Sequence, residues 1–128
     1  MNKNQLSSED TPDFQKRGGL LPVVVQDFDS REVLMLAWSN EEAWLKSLET
    51  GLATFWSTSR EELWVKGATS GDYLQIREIR MDCDQDSLVF LVTLQGEGVC
   101  HTRNARGVHR HSCFFRTWTG TTWTNLDP

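Results

Sequence analysis

The sequence predicts an α+β fold, a single small domain of short mixed or antiparallel strands around one main helix. Three observations carry this. Short runs rich in β-branched and aromatic residues recur along the chain, separated by Gly, Asp and Ser turn signals. One segment combines a helical apolar stripe with a capping signature at each end. The chain has 128 residues, no internal repeat and no linker-like stretch, which suits one domain.

Residues 1–17 are polar, contain Pro12 and show no periodicity, so they read as a loose N-terminal tail. Gly18-Gly19 opens the domain, expected to span 18–118. LLPVVVQDF reads as a buried strand with Pro22 at its start, where a missing N–H is tolerated. Asp29-Ser30 turns the chain into REVLMLAW, the second strand of a hairpin. Asn40 is a good N-cap, and Glu41 and Glu42 favour the positive end of a helix dipole. The predicted helix runs from Glu41 to Thr50, with Ala43, Trp44, Leu45 and Leu48 as its apolar stripe and Gly51 as its stop. LATFWS and LWVKG are short strands, and GATSGD is a loop. YLQIREIRMD alternates through Leu74 and Ile76, then loses phase at Arg77-Glu78, which predicts a bulge or a bend. SLVFLVTL is the most apolar strand and is expected to be central. VCHT and SCFFRTW read as short extended pieces on either side of a basic loop. Residues 119–128 form a polar C-terminal tail with no assigned element. Trp38, Trp44, Trp56 and Trp64 read as packing residues rather than a base-stacking set.

Lys plus Arg total 13 against 18 Asp plus Glu, a net charge of −5. That balance argues against nucleic-acid binding, which needs phosphate neutralisation, though a local basic pocket can still hold a small phosphorylated ligand. No run of about 18 apolar residues exists, so no membrane helix is expected. The N-terminus has no apolar signal core, and the cysteine count of three is odd. Both point to the cytoplasm and to free thiols.

The stretch from Met81 to Phe115 holds all three cysteines, all three histidines and three alternating aspartates. In an extended chain Asp82, Asp84 and Asp86 share one face and repel unless water or a hard cation such as Mg²⁺ screens them. A solvated acidic strand end is the alternative. Cys83, Cys100 and Cys113 are three soft ligands, and three protein ligands with an open position suit catalytic Zn²⁺. Buried free cysteines are the alternative. The loop Lys66-Gly67-Ala68-Thr69-Ser70-Gly71 combines backbone N–H groups, hydroxyls and a lysine, a set that can cradle phosphate. Arg60 is a further candidate for such a contact.

Taken together, GLLPVVVQD, EVLMLAW, NEEAW, SLETGLATFWS, ELWVKGATSGDY, DCDQDSL, CHT and SCF resemble the phosphoribosyl-AMP cyclohydrolase family of histidine biosynthesis over about residues 18–115. The resemblance implies an α+β intertwined homodimer with active sites built between subunits. It implies hydrolysis of the N1–C6 bond of the purine ring in 1-(5-phosphoribosyl)-AMP. By motif, Cys83, Cys100 and Cys113 become the zinc ligands, in a site shared across the dimer, and Asp82, Asp84 and Asp86 the magnesium ligands. Zn²⁺ lowers the pKa of bound water to about 7, which suits attack on an electrophilic ring carbon. His101, beside a ligand cysteine, becomes the candidate proton shuttle. Arg60, Lys66, Thr69 and Ser70 become substrate-binding residues.

Three departures bear on the substrate. Twelve residues, HTRNARGVHRHS, separate Cys100 from Cys113 where the family has a shorter segment. They carry Arg103, Arg106 and Arg110, and either His109 or His111 is able to close a zinc site. The family's SRSR is Ser57-Thr58-Ser59-Arg60 here, and its TSGN is Thr69-Ser70-Gly71-Asp72. Two other functions stay open on the sequence: a paralogue acting on another purine-like cyclic amidine, and a noncatalytic zinc-binding dimer.

Overall fold

A computed structural model describes residues 11–128. The part of the expected tail that falls on residues 1–10 lies outside the described residues.

A four-stranded sheet has the order β2-β1-β6-β5. β1 (Leu21–Asp27) and β2 (Val33–Ser39) form the expected antiparallel hairpin, and β1 also pairs in parallel with β6 (Leu88–Leu94). β6 is thus interior, as its apolar composition required, with Leu88, Phe90, Leu91 and Val92 buried. β5 (Leu74–Met81) pairs antiparallel with β6, and the register shifts between Ile76 and Glu78. Arg77 is the extra residue. Its side chain donates to Thr93 Oγ1 at 3.2 Å and lies over the Phe28 ring. The phase break in the sequence is therefore a bulge.

α1 (Glu41–Thr50) has the predicted bounds. Asn40 Oδ1 accepts from Ala43 N at 2.8 Å, and Gly51, at φ 75°, sends its N–H to Ser47 O. Ser47 is buried and exchanges two hydrogen bonds with Thr54: its hydroxyl donates to Thr54 O and accepts from Thr54 N, both at 3.0 Å. This pins the helix to β3 (Thr54–Ser57), which forms a separate hairpin with β4 (Glu62–Val65). Phe55 and Phe90, both fully buried, stack between the two sheets at 6.1 Å.

Several expectations need correction. Residues 11–17 are not loose: Phe14 is buried in the core, and Asp13 N donates to Gln85 O at 2.8 Å. Trp44 packs against the core, but Trp38 is 41% exposed, because β2 is an edge strand and this position faces outward. VCHT is not a strand. Residues 99–111 fold into a bent pair of arms with one bridge, Arg103 to His109. Residues 119–128 contain structure: β7 (Arg116–Trp118) and β8 (Trp123–Asn125) pair antiparallel, and Trp118 and Trp123 face each other at 5.4 Å.

Truncating Phe90 tests whether β6 is the centre of the core. Phe90→Ala should lower unfolding stability by about 3–5 kcal/mol, read from urea denaturation, because the site cannot collapse to fill the void. Asn40→Ala should cost only about 1 kcal/mol.

Candidate active-site cleft and acidic turn

β6 sets where the candidate residues lie. The acidic turn precedes its first residue, and the arm carrying Cys100 follows its last. Seven extended residues separate these ends by roughly 20 Å. Cys83 and Cys100 of one chain therefore sit at opposite ends of the strand.

At the N-terminal end, Asp82, Asp84 and Asp86 come together with ligand oxygens within 4.8 Å of one another. A flat strand would have spread them. Gln85, at φ 65°, bends the chain into a turn instead. Asp82 Oδ1 accepts from Asp86 N at 2.9 Å and Ser87 N at 3.2 Å, and Oδ2 accepts from the Ser87 hydroxyl. The Ser87 hydroxyl is the main reason this carboxyl stays ionised well below the usual carboxylate range, and it outweighs the opposing effect of desolvation. Asp84 moves the other way. Its hydrogen bonds with the Asp86 and Asp82 carboxyls favour its protonated form, and their negative charges add to this. Two cations from the N-terminal segment balance the cluster: Arg17 Nη2 lies 2.7 Å from Asp86 Oδ2, and Lys16 Nζ 3.4 Å from Asp84 Oδ2. The donor set has the hard-oxygen chemistry that suits a divalent cation. Cys83, in this turn, is exposed.

At the other end of β6, a cleft of about 230 Å³ is lined by Trp64, Lys66, Thr69, Ser70, Cys100 and His101, with His109 at its edge. The glycine loop and the CHT segment, distant in sequence, thus share one concavity. Gly71 N donates to Gly67 O and Ala68 N to Val65 O, which closes the loop into a turn. Gln95 N donates to Tyr73 O, tying the loop to the end of β6. Cys113 does not line this cleft but a separate concavity with Phe114, Phe115, Arg116 and Trp123, and it is tied to β2: its N–H donates to Leu34 O at 2.7 Å, and the Ser112 hydroxyl donates to Val33 O.

All three cysteines are free. Cys100 and Cys113 are neighbours that perturb one another in opposite senses. Burial resists a thiolate at Cys100, but Thr102, the Cys113 thiol and the Arg110 charge together lower its pKa. Packing around the sulfur pushes Cys113 up to about 11, and the charge of a Cys100 thiolate adds to this. Two adjacent soft donors fit half of a tetrahedral zinc site. Among the described residues, no histidine or third cysteine joins them within 4.8 Å. His109 Nδ1 is 2.9 Å from Cys100 O, and His111 Nε2 points to Asp27 and Glu32 at 3.5 and 3.6 Å. Neither closes the site in this chain.

Arg60 does not line the cleft. It lies exposed in the β3–β4 turn, its N–H on Ser57 Oγ at 3.2 Å. The three loop arginines separate. Arg103 borders an open concavity of about 600 Å³ beside the cleft, with Ser70, Asp72, Gln95, Glu97 and His109. Arg106 is exposed. Arg110 turns inward to Thr102 and Asp127. The sequence reading missed Lys16, Arg17, Thr102 and Asp127 as contacts. Only Thr102, inside the CHT motif, carried a signal for the site.

Residues 35–115 match the family model described as phosphoribosyl-AMP cyclohydrolase. A phosphoribosyl-AMP cyclohydrolase from Desulfatibacillum aliphaticivorans is 53% identical over 104 residues, which cover 81% of this chain and 78% of the relative. Those from Streptococcus mutans and Clostridium botulinum are each 50% identical, over 80% and 82% of this chain and 88% and 89% of their own lengths.

The Cys113 environment makes a pH test. A folded-state pKa raised from 9.0 to about 11 means the folded chain holds this proton more tightly than the unfolded chain. The resulting stability is present below pH 9 and is lost as pH rises toward 11. Metal-free protein should therefore lose stability across pH 9–11, and Cys113→Ser should lose less over the same window in parallel denaturation series.

Proposed function

Because the chain belongs to the phosphoribosyl-AMP cyclohydrolase family, we propose that it hydrolyses the N1–C6 bond of the purine ring in 1-(5-phosphoribosyl)-AMP, a step of histidine biosynthesis. The observation that carries this reading is the cleft that joins Lys66, Thr69 and Ser70 to Cys100 and His101.

The residues divide the work by chemistry. Lys66, the two hydroxyls and the turn's backbone N–H groups bind a substrate phosphate. Arg103 is the loop arginine placed to reach a second phosphate from the neighbouring concavity. It compensates for Thr58, where the family carries an arginine, and for the negative charge of Asp72. Cys100 and Cys113 hold zinc with Cys83 of the partner subunit, since one chain keeps Cys83 a strand length away. When bound, zinc supplies an acidified water for attack at C6. His101 delivers the proton that N1 needs as the N1–C6 bond breaks. Overall, the water oxygen ends on C6 as a carboxamide and a proton ends on N1, so no redox partner is required. Asp82, Asp84 and Asp86 hold magnesium. A homodimer follows from the shared site, and the free thiols fit a reducing cytoplasm. Among the described residues no helix is long and apolar enough to cross a membrane.

Subunit mixing tests the shared site. Cys83→Ala and Cys113→Ala should each be inactive and poor in zinc. When the two are refolded together, half the dimers are mixed and each has one intact site, so activity should return to about a quarter of wild type. No recovery on mixing would place each zinc site within one chain.

Two substitutions test the remaining roles. Asp84→Asn should weaken the magnesium dependence of the rate while zinc content stays unchanged. Arg103→Gln should raise KM about tenfold with kcat nearly unchanged, the signature of lost binding that is equal in ground and transition states.

A further inference from the structure

Cys100 has a set of contacts that the reaction chemistry does not use. Its Sγ lies 2.9 Å from Thr102 Oγ1, and Arg110 Nη1 donates to that same oxygen at 3.0 Å. A guanidinium can only donate, so the Thr102 oxygen accepts from Arg110, and its own proton is left to give to the sulfur when Cys100 is a thiolate, which can only accept. For a Cys100 thiolate the order of donation runs from Arg110 through Thr102 to the sulfur.

Arg110 is held from four sides. Its Nε donates to Asp127 O at 2.8 Å, and its guanidinium carbon lies 4.3 Å from the centroid of the Phe115 ring. Its backbone N–H donates to Thr102 O at 3.0 Å, and its carbonyl accepts from Cys100 N at 3.1 Å. The brace continues beyond it. Asn104 Nδ2 donates to the Asp127 carboxylate at 3.0 Å, while Asn104 Oδ1 accepts from Arg106 N and Val108 N and shapes the turn between the arms. Leu126 N donates to Phe115 O at 2.6 Å. Gly98 lets the arms close, because a Cβ there would overlap the His109 and Arg110 carbonyl oxygens. The long loop and the residues after β8 therefore form one hydrogen-bonded unit around a single sulfur.

We propose that Arg110 is a positioning residue for Cys100, acting through the Thr102 hydroxyl, and that Asp127 is the brace that holds Arg110 in place. The inference rests on Cys100 being a zinc ligand. A donated hydrogen bond orients the thiolate, and replacing such partners commonly weakens metal binding 10–100-fold.

The experiment measures zinc Kd by chelator competition on the full chain for the wild type and for Arg110→Gln, Thr102→Val, their double variant and Cys100→Ala. Arg110→Gln and Thr102→Val should each weaken zinc binding about tenfold. The double variant should be no more than about twofold weaker than the worse single variant, because both remove the same path. Arg110→Lys should not rescue, since an ammonium keeps the charge but lacks the planar fork. Wild-type Kd in Arg110→Gln, or fully additive losses in the double variant, would overturn the proposal. If Arg110→Gln fails to fold, Thr102→Val, which leaves the contacts of Arg110 to Phe115 and Asp127 intact, decides alone, and a wild-type Kd there overturns it. Cys100→Ala with wild-type zinc affinity would instead overturn the zinc assignment, and this inference with it.

Discussion

The structure depends on β6. Like β1 it is paired on both sides, here in parallel with β1 and antiparallel with β5, and Leu88, Phe90, Leu91 and Val92 on it are buried. A strand paired along both edges keeps its extended length, because its backbone groups are engaged with neighbours on either side. Whatever flanks it is held apart. The acidic turn is kept at one end and the cleft with Cys100 at the other, and no side-chain rotation brings them together. This separation is what motivates the proposal that a zinc site would take Cys83 from a second copy of the chain.

Charge is managed differently at the two ends. The acidic turn crowds three carboxylates within 4.8 Å and relieves the repulsion with the Ser87 hydroxyl, Arg17 and Lys16. These cations come from the segment just before β1, which explains why that segment is anchored. At the cleft end the pattern reverses. Lys66 and the basic arms put positive charge around two sulfurs, and Arg110 is tied down so that its charge acts at one point. A net acidic chain thus carries a local basic site, which is how a protein of overall charge −5 can hold a phosphorylated substrate.

Much was legible in the sequence because it was local. The helix from Glu41 to Thr50 followed from an N-cap and a C′ glycine, both of which act within a few residues of their position. The bulge at Arg77 followed from a break in a period-two pattern, and the centrality of β6 from its apolar run. The donor chemistry was local too: DCDQD, CHT and SC name hard and soft ligands by residue type alone. Residues 11–17 misled because their tie to the core runs through Phe14 and through side chains some seventy positions away, at Asp84 and Asp86. Trp38 misled because an aromatic in a strand says nothing about which edge that strand occupies.

The sequence by itself determined the element order from β1 to β6, the family and the identity of the candidate ligands, since these depend on local propensity, spacing and chemical type. Only the tertiary structure decided which of them meet. It put Lys66, Thr69 and Ser70 beside Cys100 and His101, kept Arg60 out of the cleft, turned Arg110 inward and sent Cys83 to the other end of β6. The physical reason is that strand pairing joins residues by register and direction across the sheet, and neither can be read from the composition of a single strand.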